Sequence, residues 1–115
     1  MEIKRIFDLV SQYHENWPER TDALAGKDNN AWVKFSTTGF VENVNNISYG
    51  LLALGIEKGD KIASITFNRP EWNFIDMGVQ QIGAIHISIY PTISDKDYEY
   101  ILKHAEVKYI FVAGI

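Results

Sequence analysis

The chain contains no cysteine. Disulfides and thiolate chemistry are therefore excluded, and the composition fits a reducing compartment, the cytoplasm. Excess positive charge is also missing: 11 Lys and Arg stand against 15 Asp and Glu, for a net charge of −4. A nucleic-acid surface wants a basic face, so no nucleic-acid partner is expected. No apolar run approaches the roughly 20 residues of a membrane-spanning helix. The opening Met1-Glu2-Ile3-Lys4-Arg5-Ile6 lacks the apolar core of a signal peptide. No internal repeat, low-complexity stretch or linker interrupts the chain. What these absences leave is an ordinary globular composition, 46% hydrophobic and 23% charged over 115 residues. That length makes one domain or a piece of a larger one.

The organising stretch is Leu54 to Trp72, LGIEKGDKIASITFNRPEW. Gly55 follows an apolar helical run and suits the left-handed residue past a helix end. Gly59-Asp60 is a turn dipeptide. Ile62, Ala63, Ile65 and Phe67 form an apolar run of strand length. Asn68-Arg69-Pro70-Glu71 then opens a helix, with Pro70 suited to its first position and Glu71 to its first turn.

Upstream, Ile6, Leu9, Val10 and Tyr13 recur at helical spacing, which predicts an amphipathic helix over residues 3–16, stopped by Pro18. Thr21 to Phe35 reads as a hairpin: strand Ala23 to Ala25, turn Gly26 to Asn30, return strand Ala31 to Phe35. Ser36 or Thr37 caps a long helix whose inner face is Phe40, Val44, Ile47, Leu51 and Leu54. Gly39 stands where a capping box would place Glu or Gln, so that start is weaker.

Downstream, Trp72, Ile75, Val79 and Ile82 give the next helix its buried stripe, ended by Gly83. Ala84 to Ile89 is a second strand and Tyr90-Pro91-Thr92 a second elbow. Ser94 caps a helix with inner face Tyr98, Ile101, Leu102 and Ala105. Lys108 to Ala113 is a third strand. Strands alternating with helices predict an α/β fold: a partial open parallel sheet with flanking helices, plus an N-terminal helix and β-hairpin. Ligands of such sheets bind beyond the carboxyl ends of the strands. That places Asn68, Arg69, Tyr90 and Thr92 at the edge of any substrate cleft.

Each of these has a plainer reading. Asn68 reads more simply as a helix N-cap, and Tyr90 and Thr92 suit elbow packing. His86 has no carboxylate or hydroxyl partner nearby in sequence, which favours a structural role. His14 and His104, late in helices, fit the negative C-terminal dipole, and Asp95 and Asp97 fit the positive N-terminal one. Trp17, Trp32 and Trp72 read as core or hairpin packing. No catalytic or metal-ligating residue is assigned.

Taken together the motifs carry a resemblance. They run Trp17-Pro18-Glu19, Trp32-x-x-x-Ser36, Leu54-Gly55-Ile56-x-x-Gly59-Asp60-Lys61-Ile62-Ala63, Asn68-Arg69-Pro70-Glu71-Trp72, Gly83-Ala84 and Tyr90-Pro91-Thr92. In this order and spacing the chain resembles the amino-terminal segment of the AMP-forming acyl-CoA synthetases, over residues 3–115. The two elbows are more similar to the long-chain fatty acid branch. The resemblance implies that residues 1–115 are the N-terminal fragment of an AMP-binding (adenylation) domain. It implies a complete enzyme that uses ATP, Mg²⁺ and CoA to turn a long-chain fatty acid into acyl-CoA through an acyl-adenylate. The glycine- and hydroxyl-rich phosphate loop, the adenine- and ribose-binding stretches and the catalytic lid lysine of that family have no counterpart here. The fragment is therefore expected to be inactive and to bind no cofactor by itself. It is expected to self-associate through surfaces left open. The complete enzyme is expected in the cytoplasm and peripherally at membranes.

Two other readings stay open. One is a stand-alone, non-catalytic α/β interaction module; the other is a fragment of an adenylate-forming ligase for a different carboxylic acid. The turn after the first parallel strand, Asn-Arg-Pro-Glu, has no glycine for close backbone approach to a phosphate, which disfavours a nucleotide-binding module.

Overall fold

A computed structural model describes residues 2–114. In chain order the elements are helix α1 Asp8–Asn16, strands β1 Leu24–Asp28 and β2 Ala31–Phe35, helix α2 Thr37–Ala53, strand β3 Lys61–Ile65, helix α3 Pro70–Gln81, strand β4 Ile85–Ile89, helix α4 Asp95–His104 and strand β5 Tyr109–Val112. The three later strands form a parallel sheet in the order β4-β3-β5, and β1 pairs with β2 as a separate antiparallel hairpin. The expected α/β architecture is thus present, with β3 at the centre of the sheet.

The boundaries differ from the sequence reading where a local polar contact intervenes. Helix α1 starts at Asp8 rather than residue 3. The Asp8 carboxylate accepts from the backbone N–H of Lys4 and Arg5, both at 3.0 Å, and this folds the preceding residues into a turn. The hairpin turn is two residues, not five: Asn29 and Asn30 have φ of 50° and 62°. Asn tolerates the left-handed region that a tight hairpin needs, so the strand runs on through Asp28. At α2, Ser36 is the cap, its Oγ accepting from Gly39 N at 3.0 Å. Leu54 lies just past that helix and is 56% exposed, so it is not part of the inner face. Phe67 lies beyond the end of β3 and is 68% exposed.

Two apolar clusters hold the layers. Leu51, Ile56, Ile62, Ile75, Val79 and Ala84 join α2 and α3 to the sheet, with Phe111 of β5 packed against them. Val10, Phe40, Val44 and Phe74 join α1, α2 and α3 and reach the hairpin through Leu24 and Phe35. Gly78 lets α2 and α3 approach closely, since a Cβ there would lie 2.6 Å from the Ile47 side chain and 2.9 Å from the Val44 carbonyl oxygen. The buried stripe of α3 is therefore Phe74, Ile75, Gly78 and Val79, and Trp72 is only half-buried. The two crossovers run to opposite sides of β3, and right-handed connections place α3 and α4 on opposite faces of the sheet. Helix α4 buries no residue fully; Tyr98, Ile101, Leu102 and Ala105 are half-buried.

Candidate functional site

The carboxyl ends of the parallel strands come together around the β3–α3 elbow. Helix α3 opens on Pro70, and Arg69 occupies the N-cap position in extended conformation without a side-chain capping bond. Asn68 is thus not the cap, although Asn is the better capping residue. The backbone places Arg69 there because Pro70 fixes the helix start and forces its predecessor out of the helical region.

Two clefts flank this elbow. The first, about 360 Å³, lies between the hairpin and the elbow and is lined by Lys27, Asp28, Val33, Phe35, Phe67, Asn68, Arg69 and Glu71 among others. Its closed end is the contact of Gly26 with Pro70: a Cβ on Gly26 would lie 2.7 Å from Pro70 Cδ, so the hairpin and α3 touch there. The second cleft, about 220 Å³, lies between the start of α3 and the end of β5, lined by Thr66, Arg69, Glu71, Trp72, Ile75, Phe111 and Val112. Arg69 belongs to both. Among the described residues no ion pair involves Arg69. A guanidinium remains charged across the physiological range and matches a carboxylate or phosphate bidentately.

Of the four residues expected at the cleft edge, the structure brings Asn68 and Arg69 to these clefts. Tyr90 and Thr92 are exposed at the end of β4 and line neither. The Tyr90 carbonyl accepts from the Tyr98 hydroxyl at 3.1 Å, which ties the second elbow to α4. Sequence reasoning missed Lys27 and Trp72 as cleft residues. Lys27 was hidden because the turn was placed over it, and Trp72 because a tryptophan at helical spacing reads as core. Trp32 is a hairpin surface residue, 63% exposed, with the Lys27 ammonium 5.4 Å from its ring centroid.

The surroundings of His86 differ from what its sequence neighbourhood offers. His86 has both partners that sequence proximity denied it: Ser64 Oγ lies 2.7 Å from Nε2, and Asp76 Oδ1 lies 2.9 Å from Nδ1. Those residues are distant in sequence, and only the strand register and the return of α3 bring them together. Ser64 is 1% exposed, so its hydroxyl cannot reach a substrate. His104 stacks on Tyr100 at 5.4 Å in the last turn of α4. Asp97 closes a cap with Ser94, its N–H donating to Ser94 Oγ at 3.3 Å.

The elbow can bind and orient an anionic or amphipathic group, but it does not suit a triphosphate. Pro70 removes one of the N–H groups a phosphate would use, and the Glu71 carboxylate stands in the first turn. Among the described residues no group of three His, Asp or Glu is placed to hold a metal ion.

The AMP-binding enzyme family model matches residues 11–114. The chain belongs to the AMP-binding enzyme family. Within it, the chain is 34% identical over 83 residues to fatty acyl-CoA synthetase A of Dictyostelium discoideum, covering 72% of this chain and 12% of that protein. It is 28% identical over 104 residues to the long-chain-fatty-acid–CoA ligase heimdall of Drosophila melanogaster, covering 90% and 15%. The chain therefore spans a small part of the length of the curated relatives it matches. Among solved structures, a Mycobacterium tuberculosis fatty acyl CoA synthetase superposes with a TM-score of 0.83 at 23% identity over 93% of this chain and 21% of that one. The Klebsiella oxytoca NpsA N-terminal subdomain superposes with a TM-score of 0.77 at 18% identity over 94% and 27%. These structures share the fold of this AMP-binding family member.

Proposed function

We propose that this chain is the amino-terminal part of an AMP-forming long-chain fatty acid–CoA ligase. The observation that carries the reading is the conjunction of family membership with fatty acid ligases among the relatives, together with both elbows, Asn68-Arg69-Pro70-Glu71-Trp72 and Tyr90-Pro91-Thr92. In this reading the complete enzyme joins a fatty acid to CoA, consuming ATP with Mg²⁺ and releasing AMP and pyrophosphate. The present residues supply one wall of the substrate cleft: Trp72, Ile75, Phe111 and Val112 are apolar surface for an acyl chain, and Arg69 is a fixed positive charge at the mouth. The reacting groups lie elsewhere in the enzyme. It works in the cytoplasm and at membrane surfaces.

A second reading is an adenylate-forming ligase for an aromatic acid. The same fold occurs in an anthranilate CoA ligase, at a TM-score of 0.76 and 22% identity, so the fold leaves the acid open. ATP–pyrophosphate exchange separates the possibilities. The 115-residue chain alone is expected to give none. The gene product carrying it is expected to exchange with palmitate and not with anthranilate. Exchange by the isolated chain overturns the division of labour, and exchange with anthranilate alone overturns the substrate class.

A further inference from the structure

Beneath the elbow lies a row of polar side chains that neither cleft uses. Ser64 of β3, His86 of β4 and Asp76 of α3 are linked through the two imidazole nitrogens at 2.7 and 2.9 Å. The row is closed to water at Ser64 and His86 and partly open at Asp76: the side chains are 4% exposed at His86 and 15% at Asp76, and Ser64 is 1% exposed. Gln80 donates from Nε2 to the same Asp76 oxygen at 3.0 Å. One turn before Asp76, Trp72 donates from Nε1 to Ser88 Oγ at 2.8 Å, and its ring centroid is 5.5 Å from that of His86. Helix α3 is thus joined to β4 by two polar rungs, Asp76 to His86 and Trp72 to Ser88, beside the apolar contact of Ile75 and Val79 with Ile62.

The row has a direction. An ionised carboxylate only accepts hydrogen bonds, so Nδ1 of His86 carries the hydrogen, and in the neutral imidazole Nε2 accepts from the Ser64 hydroxyl. Among the described residues the Ser64 hydroxyl has no other partner, so of the two neutral tautomers this one gives both the hydroxyl hydrogen and the carboxylate a partner. The connectivity is that of a hydrolytic Ser-His-Asp array. The burial of Ser64 on the central strand keeps any substrate carbonyl away from it, so the array positions and does not attack.

We propose that His86 is a positioning residue. Locked as the Nδ1–H tautomer, it holds α3 in register on β4 and so fixes the Trp72 indole as a wall of the second cleft. The proposal rests on the fatty acid ligase reading only for the use of that wall, which is to seat the apolar chain of a carboxylic acid. The register argument is independent of the reaction. A slide of α3 by one residue breaks both rungs at once, because Trp72 and Asp76 are one helical turn apart and Ser88 and His86 share one face of β4.

Nitrogen-15 NMR of the 115-residue chain tests this without an activity assay. The His86 ring is expected to show the Nδ1–H tautomer. The Trp72 indole proton is then followed by solvent exchange in wild type, His86→Asn and His86→Leu. Asn can donate near the position of Nδ1; Leu fills the space without a polar atom. Exchange is expected to rise roughly fivefold to tenfold in His86→Leu, the size of one lost hydrogen bond, and to stay near wild type in His86→Asn. Ser88→Ala removes the acceptor directly and sets the full scale. A purely space-filling role for His86 predicts the reverse ranking. An Nε2–H tautomer overturns the proposal, as does an unchanged Trp72 exchange rate in His86→Leu. Failure of the complete enzyme to use a fatty acid would sink the functional reading and leave these NMR results standing.

Discussion

Single residues set the acid limit of this fold. The Asp8 carboxyl is held below its ordinary value of 3.8 by the Arg5 side chain and by the backbone N–H groups of Lys4 and Arg5. Asp60 is lowered in the same way, first by the backbone N–H of Glu57 and then by Lys108, which reaches it from the start of β5. A carboxyl whose folded pKa lies below its unfolded value stabilises the fold at pH above the unfolded value. That contribution disappears as pH falls through the folded value. Thermal unfolding is therefore expected to drop as pH is lowered from about 5 to about 2. Asp60→Asn is expected to unfold earlier at neutral pH and to show a shallower acid slope than wild type. Equal acid slopes in calorimetry would show that Asp60 does not contribute. The Thr37 hydroxyl works the other way: it is fully buried and has no hydrogen-bond partner among the described residues, a cost the fold carries at the start of α2.

Elements show what the amino-acid order makes legible. Each helix could be placed from its period and each parallel strand from its short apolar run, because apolar spacing is what burial acts on. Their ends could not, because ends depend on polar contacts made in three dimensions: the Asp8 carboxylate for α1, the paired Asn29 and Asn30 for the hairpin, Arg69 before Pro70 for α3. The cleft was legible at Asn68 and Arg69 through the rule of strand ends. It was not legible at Lys27, which arrives from a separate sheet, nor in the partners of His86, which need the β3–β4 register. Helix α2 against α3 gives the sharpest test of packing. Gly78→Ala places a methyl group 2.6 Å from Ile47 and 2.9 Å from a backbone oxygen, and it is expected to cost about 1–3 kcal/mol. Denaturant titration checks this. A neutral result would mean that α2 can shift away from α3 without loss.

At the scale of the whole molecule, both outer strands of the parallel sheet have an unpaired edge among the described residues. Apolar side chains stand exposed near its carboxyl ends: Phe67 at 68%, Tyr90 at 80% and Val112 at 65%. Exposed edges and apolar patches favour association. The 115-residue chain is expected to associate as its concentration rises, with light scattering giving a mass above that of one chain. A constant monomer mass up to high concentration would refute this. No helix among the described residues is long and apolar enough to cross a membrane.

The strand order carries a consequence for biosynthesis. β3 lies in the middle of the sheet yet is made before both of its neighbours. On the ribosome it emerges with two vacant edges, and its second edge stays vacant until Val112 has left the exit tunnel. Helix α2 precedes it with its cap already in place. The nascent chain can therefore cover one side of Ile62 early, while pairing at the second edge of β3 waits for β5 to emerge. A pause in synthesis between Ile89 and Tyr109 would prolong the interval in which chaperones can bind this chain.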